Sequence, residues 1–272
     1  GLLHDVGHSP LSHSGENFMI SWEDFFSSID NIKLSDWMKE GFENKKKKLS
    51  ARKKSLLQNM RHEVYTIFIV NEIFNTELRN CDENLARDIC AILDTAFSPS
   101  PGGLLEESGL RNLFHDIVSG ELDADRMDYL LRDSRECGVV YGLFDLGRIL
   151  DSVGIYINVK TKESHLAIRR SGIPAFEDFL RARLSMYGQV YFHKTSTACE
   201  AMLLHLKKQL IDFRFALDLE KYMNFDDHKF FSLLKHEIQR LNENNEYLEK
   251  ISEDVLLNRS LWKRIYEEKF SH

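Results

Sequence analysis

The sequence predicts a mainly α-helical protein with one small β-hairpin. Only four prolines and fourteen glycines occur among 272 residues, which disfavours a turn-rich β fold. Apolar residues recur at helical spacing over most of the chain, and β-branched residues alternate in a single place. Hydrophobic residues make up 43% and charged residues 29%, as expected for a globular chain of one large or two small domains.

The elements can be placed in order from these patterns. The expected helices of the first half are a short one within 1–30 that Pro10 interrupts, a buried one from Arg61 to Phe74, an amphipathic one at 84–97 that ends in the loop 98–103, and two more within 106–133. The hairpin is expected from "IYINVK" (155–160) through the turn "TKES" to "HLAIRR" (165–170). Helices then resume at Pro174 and are expected in the tail stretches "FDDHKFFSLLKHEIQRL" and "LLNRSLWKRIYEEKF". We expect a helical core over 1–150, with a basic insert near 31–60, and the hairpin with a helical C-terminal region over 151–272.

Composition limits the classes of partner. The net charge of −7 argues against a protein that coats nucleic acid, so nucleic acid is not an expected partner. The four cysteines are scattered without a C-x-x-C pair, which is typical of reduced thiols in the cytoplasm. No apolar run approaches the ~20 residues of a membrane span, and no signal-peptide pattern begins the chain. We therefore expect a cytoplasmic protein without a membrane partner.

Three of the eleven histidines fall between His4 and His13, in the string H-D-x-G-H-x-P-x-S-H-x-x-E. Such a cluster is a metal site, an acid–base site or an accident. On a helix, His4 and His8 would share a face, and imidazole with the carboxylate of Asp5 suits a divalent transition metal. Glu16 lies three residues after His13 and could orient it. A second His-Asp pair at 115–116 has no further histidine nearby, and we interpret it as incidental.

Three later stretches carry further candidates. His62 begins a buried helix beside Glu63 in "RHE". The stretch "ELDADRMDYLLRDS" (121–134) places Asp125, Tyr129 and Asp133 on one helix face, where the alternative is a solvated acidic face. In "RARLSMYGQVYFHK" (181–194), a cationic and aromatic set could grip phosphates and stack on a ring, and the alternative is an ordinary basic helix surface. The members of this set are Arg183, Tyr191, His193 and Lys194.

Taken together, these residues resemble the HD-domain phosphohydrolases, and within them the deoxynucleoside-triphosphate triphosphohydrolase branch that includes the SAM-and-HD-domain enzymes. The resemblance covers most of the chain in fixed order. Its motifs are "LLHDVGHSPLSH", "RHE", "LDADRMDYLLRDS", "GVVYGLFDLGRI", "FEDFLRARLSMYGQVYFHKT", "FDDHKFFSLLK" and "LLNRSLWKRI". It implies an HD-domain helical core with a small β-hairpin insertion.

The resemblance also implies roles for single residues. It makes His4, Asp5 and Asp125 metal ligands. It places His8, His13 and His62 around the phosphates, with His13, backed by Glu16, as proton donor to the leaving group. It assigns phosphate contacts to Arg126, Arg183 and Lys194, and sugar contacts to Tyr129, Asp133 and Tyr191.

The implied reaction is attack of water at the α-phosphorus of a dNTP, which releases a deoxynucleoside and inorganic triphosphate. The implied cofactor is a divalent metal (Mn, Fe, Ni, Co, Zn or Mg). The implied partners are the nucleotide substrate, an allosteric nucleotide, and further copies of the chain in a dimer or tetramer.

This chain departs from the family pattern in three places, one of which is Arg126, where some relatives have lysine and the charge is kept. The family's four-ligand site begins with a histidine upstream of the His-Asp pair. We therefore expect the natural protein to extend further towards its N terminus, and the alternative is a chain that is inactive as it stands. The basic segment at 44–54 is longer than the expected link. Its simplest interpretation is a solvated helix or loop, and its alternative is a second anion site.

Two other functions stay open at this point. One is a different HD phosphohydrolase chemistry, on a nucleoside monophosphate, an oligonucleotide or a signalling nucleotide. The other is a non-catalytic sensor that binds nucleotide or nucleic acid. The products formed from a nucleotide distinguish the first, and metal content distinguishes the second.

Overall fold

Helices account for most of the chain, as the sequence predicts, and a single two-stranded sheet is found among the described residues. The computed structural model describes residues 2–51, 55–78, 80–82, 84–210, 212–241, 246–258 and 260–263. Within these ranges, no helix is long and apolar enough to cross a lipid bilayer.

The chain divides into two compact units, each of which combines an early segment with a later one. Unit 1 comprises Gly1–His8 and Ser21–Tyr187, and unit 2 comprises Ser9–Ile20 and Gly188–His272. Compactness alone does not establish folding domains, so the division into 1–150 and 151–272 stays a prediction.

Unit 1 holds most of the secondary structure. Its elements are α1 Trp22–Ser28, α2 Asp36–Ser50, α3 Glu63–Thr76, α4 Asn84–Leu93, α5 Leu104–Ser108, α6 Arg111–Ser119, α7 Ala124–Glu136, α8 Leu146–Ser152, β1 Val153–Ile157, β2 Ser164–Ile168 and α9 Ile173–Met186. The buried helix predicted from Arg61 to Phe74 is α3, in which residues 64–70 are all buried. The helix predicted at 84–97 ends at Leu93, because the side chain of Asp94 accepts the N–H of Ala96 (2.8 Å) and turns the chain.

The hairpin forms about two residues earlier than predicted. Strands β1 and β2 pair antiparallel from Val153 opposite Ile168 to Ile157 opposite Ser164. Asn158 ends β1, because its side-chain oxygen accepts the N–H of Lys160 at 3.0 Å and its carbonyl accepts that of Lys162 at 2.7 Å. Lys162 takes a positive φ of 60°, which completes the turn before β2 begins.

The predicted N-terminal helix does not form, and residues 2–7 make turns instead. The N–H of Gly7 is donated to the hydroxyl of Thr66 (3.1 Å) and so is not available for a helical hydrogen bond. The same hydroxyl donates to the carbonyl of His4 (3.2 Å). A Cβ on Gly7 would collide with the backbone of Thr66 in α3 and of His62 just before it, so glycine permits this close approach.

An aromatic cluster forms the core around α1, α2 and α3. Phe25, Phe42 and Phe97 are each at most 1% exposed. The ring centroid of Phe42 lies 5.2 Å from those of Phe25 and Phe97, in edge-to-face arrangements. Directly before Phe42 on α2, Gly41 is buried against the Phe97 ring, where any side chain would clash.

Helix α2 contains the first part of the basic segment, residues 44–50, and uses several of its lysines in local contacts. The ammonium group of Lys45 lies 2.7 Å from a carboxylate oxygen of Asp94 and 5.5 Å from the ring centre of Trp22. Lys48 donates to the carbonyl of Thr95 (3.0 Å). Residues 44–50 are thus helical, in line with the simpler interpretation of a solvated helix or loop, and two of the lysines contact neighbouring residues of unit 1. Residues 52–54 lie outside the described residues.

Unit 2 is built around phenylalanines. Its elements are a 3₁₀-helix Ser12–Phe18, α10 Lys194–Gln209, α11 Leu219–Met223, α12 Asp227–Leu241, α13 Glu246–Glu253 and a π-helical turn Asp254–Asn258. Phe18, Phe215 and Phe230 are buried and contact one another. The helix predicted over "LLNRSLWKRIYEEKF" is not regular at 260–263, and residues 259 and 264–270 lie outside the described residues.

We predict that Gly41→Ala lowers the free energy of unfolding by about 1–3 kcal/mol, because the added methyl group overpacks the Phe97 contact. The higher helix propensity of alanine, worth about 1 kcal/mol, is expected to offset only part of this loss. Urea denaturation measures the difference.

Gly147→Ala in α8 is the matched control. Gly147 is exposed, and the nearest atom to an added Cβ is a carboxylate oxygen of Asp145 at 3.6 Å. Here alanine should leave the stability unchanged or raise it by up to about 1 kcal/mol. Equal effects of the two substitutions would contradict the packing argument.

Candidate functional site

The carboxylate of Asp5 is surrounded by imidazole rings of unit 1. Its oxygens lie 3.3 Å from Nε2 of His4, 3.4 Å from Nε2 of His8 and 3.6 Å from Nε2 of His62. The contacts with His62 and then with His8 hold the pKa of Asp5 well below its usual range. Asp5 is therefore ionised throughout the neutral pH range, as a metal ligand or a partner of cationic histidines must be.

His8 and His62 stack face to face. Their ring centroids are 3.8 Å apart and the planes are inclined by 16°. His62 is 7% exposed and stands at the start of α3, whereas His8 follows the turn that Thr66 anchors. The stack fixes the orientation of both rings, so that a ring nitrogen of each lies against the same carboxylate oxygen of Asp5.

Helix α7 supplies the third predicted ligand. Asp125 lies in the first turn of α7, and one of its carboxylate oxygens is 3.6 Å from Nε2 of His4. The helix begins at this point because the side chain of Asp123 accepts the N–H of Arg126 at 2.7 Å. Asp123 is 4% exposed, and its burial raises the pKa of its carboxyl.

The donor set of His4, Asp5 and Asp125 fits a divalent transition metal. One ligand atom from each residue lies within 4.8 Å of the other two. Ligands about 2.1 Å from a common ion are separated by roughly 3.0–3.4 Å, so only small movements would bring all three into coordination. One imidazole nitrogen and two carboxylate oxygens suit Mn, Fe, Co, Ni or Zn.

Two arginines of unit 1 approach the same anionic side chain. Nη1 of Arg126 and Nη1 of Arg183 each lie 3.5 Å from one carboxylate oxygen of Glu121. Arg126 directly follows Asp125 on α7, and Arg183 comes from the last turn of α9. The structure therefore brings together the two unit 1 cations that the resemblance assigns to phosphate.

A pair of tyrosines joins α7 to the end of α9. Burial, and then a hydrogen bond with Tyr187, raises the pKa of Tyr129 well above its usual range. The guanidinium carbon of Arg183 lies 5.8 Å from the ring centre of Tyr187. Asp133 lies one turn after Tyr129 on α7 and is half-buried.

The remaining candidates belong to unit 2. His13 is largely exposed, and its Nδ1 lies 3.7 Å from a carboxylate oxygen of Glu16, as the spacing predicts. His13 also lines a cavity of about 240 Å³ with Asn17 and Glu200. Tyr191 ends a π-helical turn that begins at Tyr187. His193 and Lys194 are exposed at the start of α10, where Nδ1 of His193 accepts the N–H of Thr195 at 3.4 Å.

The second His-Asp pair makes structural contacts, in agreement with its interpretation as incidental. Asp116 accepts the backbone N–H of Leu166 at 3.1 Å and contacts Nδ1 of His165 at 3.1 Å, which ties α6 to the hairpin. Nδ1 of His115 lies 2.7 Å from the carbonyl of Ile92.

Sequence reasoning missed three residues that shape this part of unit 1. Thr66 stands out only as a polar residue in the apolar run "EVYTIFIV". Tyr187 follows Arg183 by one helical turn, a spacing that could have indicated their contact. No sequence pattern indicated Glu121, because its contact with Arg183 depends on tertiary structure.

A family model matches the C-terminal half of the chain. Residues 144–271 match the HD associated region, a family described by its occurrence with HD domains. The match covers α8, the hairpin, α9 and helices α10 to α13 of unit 2, but not the cluster around Asp5.

Known proteins match a larger part of the chain. The chain is 28% identical to the uncharacterized protein YwfO of Bacillus subtilis, covering 83% of this chain and 44% of that protein. It is 24% identical to the deoxynucleoside triphosphate triphosphohydrolase SAMHD1 of Danio rerio, covering 92% of this chain and 40% of that protein. The chain thus spans less than half the length of these relatives. The HD associated region and SAMHD1 support an assignment to the HD superfamily.

A solved structure shows the same fold. A hypothetical protein from Aquifex aeolicus, 24% identical, superposes with a TM-score of 0.59 over 94% of this chain and 54% of that one.

We predict that Asp123→Ala lowers the free energy of unfolding by about 1 kcal/mol, because α7 loses its N-terminal cap.

Asp123→Asn keeps an acceptor and removes the buried charge. Since burial raises the pKa of Asp123 above its ordinary 3.8, ionisation costs stability as pH rises past that value. The asparagine variant should therefore gain stability over the parent between about pH 4 and pH 7, as measured by urea denaturation. A loss at neutral pH would show that the contact with Arg126 outweighs burial.

Proposed function

We propose that this chain carries the active site of a metal-dependent phosphohydrolase of the HD superfamily, and that it hydrolyses dNTPs to deoxynucleoside and inorganic triphosphate. One observation carries the proposal: the ligand atoms of His4, Asp5 and Asp125 converge within 4.8 Å in unit 1. Two histidines and two arginines of the same unit accompany them. The relation to SAMHD1 supports the dNTP as substrate.

His4, Asp5 and Asp125 would hold the metal. A divalent cation bound by these residues would polarise a phosphoryl oxygen and lower the pKa of a coordinated water. The ionised state of Asp5 favours this role, because its carboxylate needs no deprotonation before it binds a cation.

The other side chains would act directly on the substrate. Arg126 and Arg183 would neutralise charge on the phosphate oxygens, since guanidinium groups form paired hydrogen bonds with phosphate. His8 and His62, held in fixed orientation by their stack, would donate hydrogen bonds to oxygens beside the metal. Tyr129 and Asp133 would contact the sugar, with Asp133 accepting from the 3′-hydroxyl.

The unit 2 candidates complete the proposal from the resemblance. His13, oriented by its contact with Glu16, would protonate the leaving group. Tyr191, His193 and Lys194 would add an aromatic and cationic surface for the nucleotide. The allosteric nucleotide and the dimeric or tetrameric assembly stay predictions.

The substrate class follows from the number of cationic groups. Arg126 and Arg183 of unit 1 already exceed what one phosphate group requires, and the resemblance adds Lys194, so a nucleoside triphosphate fits this charge better than a monophosphate. The nature of the phosphate product separates the two reactions.

The test uses the natural protein that contains this chain. Incubated with each dNTP and Mn²⁺ or Mg²⁺, it should release inorganic triphosphate, which ion chromatography separates from pyrophosphate and orthophosphate. Asp125→Ala should lower the rate by about 100-fold or more, because a metal ligand is lost. Asp128→Asn is the matched control. Asp128 lies on the same helix and is exposed, and its carboxylate lies 3.0 Å from Nη2 of the exposed Arg132. Its substitution should therefore keep the rate within about twofold of the parent.

Three results would contradict the proposal. Orthophosphate or mononucleotides as the product would indicate another HD chemistry. A protein without metal that still binds nucleotide would indicate a sensor. Equal losses in the two variants would show that charge on α7, and not metal ligation, sets the rate.

A further inference from the structure

A single exposed carboxylate contacts both arginines to which the proposed function assigns phosphate. The same oxygen of Glu121, Oε2, lies 3.5 Å from Nη1 of Arg126 and 3.5 Å from Nη1 of Arg183. Glu121 precedes α7 and lies outside any regular helix or strand. One anionic oxygen between two guanidinium groups is the arrangement that a phosphate oxygen would adopt.

The two arginines are held by other contacts as well. Nη1 of Arg126 donates to the carbonyl of Gly120, and its Nε lies 3.6 Å from the buried carboxylate of Asp123. The guanidinium group of Arg183 lies over the ring of Tyr187. The side chains of Arg126 and Arg183 are only 24% and 28% exposed. Both cations would therefore keep their positions if Glu121 moved away.

The carboxylate, in contrast, is weakly held. The side chain of Glu121 is 83% exposed, and its two contacts are longer than a charge-assisted hydrogen bond. Ion pairs with a solvent-exposed partner contribute little to stability, because water and salt screen them. A more highly charged anion can replace such a carboxylate without disturbing the arginines.

We propose that Glu121 acts as an internal competitor of the substrate: its carboxylate occupies the phosphate position between Arg126 and Arg183 until the phosphates of the nucleotide displace it. This inference rests on the proposed function for the identity of the ligand. It makes Glu121 a specificity-determining residue, since an anion binds there only if it interacts with the two guanidinium groups more strongly than one carboxylate does. Polyphosphates carry several negative charges and meet this condition better than carboxylates or other monoanions.

The test measures anion binding without hydrolysis. Inorganic tripolyphosphate is titrated calorimetrically into the protein in the presence of a chelator, so that no metal takes part. Glu121→Gln, which keeps the shape of the side chain and removes its charge, should raise the association constant about threefold to tenfold. Thermal denaturation of each variant verifies that the fold is retained.

Glu177→Gln is the matched control. Glu177 is an exposed residue of α9 that lies 3.7 Å from Arg181, so the substitution removes the same charge and a similar ion pair away from Arg126 and Arg183. It should change the association constant by less than about 1.5-fold. In an Arg183→Gln background, Glu121→Gln should raise the association constant by a smaller factor, because the carboxylate then competes for one cation instead of two.

Three outcomes would overturn the inference. Equal gains for Glu121→Gln and Glu177→Gln would show a general charge effect. Weaker binding by Glu121→Gln would show that Glu121 positions the arginines for the anion. No binding of tripolyphosphate to the parent or to either variant at millimolar concentration would show that no anion site exists.

The tripolyphosphate titration tests the competition by Glu121 independently of dNTP hydrolysis. A gain in Glu121→Gln together with no release of triphosphate from any dNTP would support competition and refute the proposed reaction. Release of triphosphate without that gain would support the reaction and refute competition.

Discussion

The hydroxyl of Thr66 is the interaction on which the arrangement around Asp5 depends. It accepts the N–H of Gly7 and donates to the carbonyl of His4, so both ends of the turn that carries Asp5 are tied to α3. Thr66 is fully buried, which makes these hydrogen bonds costly to lose. Because His62 begins the same helix, one anchor sets the position of His4, Asp5 and His8 relative to His62.

Much of the fold could be predicted because it depends on local pattern. Helix α3 follows from an apolar run, and the hairpin follows from β-branched alternation on either side of a turn. The approach of His4, Asp5 and Asp125 was expected from the family motifs, and their distances agree with that expectation. Whether they bind metal stays a prediction.

The rest could not be predicted because it depends on tertiary contacts. The spacing of His4 and His8 suggested a helix, but the hydrogen bond from Gly7 to Thr66, 59 residues away, replaces a helical one. The early end of α4 reflects the side chain of Asp94, which also binds Lys45 of α2. The contact between Glu121 and Arg183 joins a turn to helix α9, and no sequence period relates the two residues.

The two His-Asp pairs show what a dipeptide motif can and cannot indicate in genome surveys. A search for the dipeptide alone would count this chain twice and could assign a reaction to the wrong pair. The difference lies in the donors that meet the carboxylate. Asp116 accepts a backbone N–H of the hairpin and contacts one imidazole, that of His165, whereas three imidazoles surround the carboxylate of Asp5. Surveys that count the imidazoles around the aspartate, instead of the dipeptide alone, would distinguish a pair like His4–Asp5 from a pair that ties a helix to a hairpin.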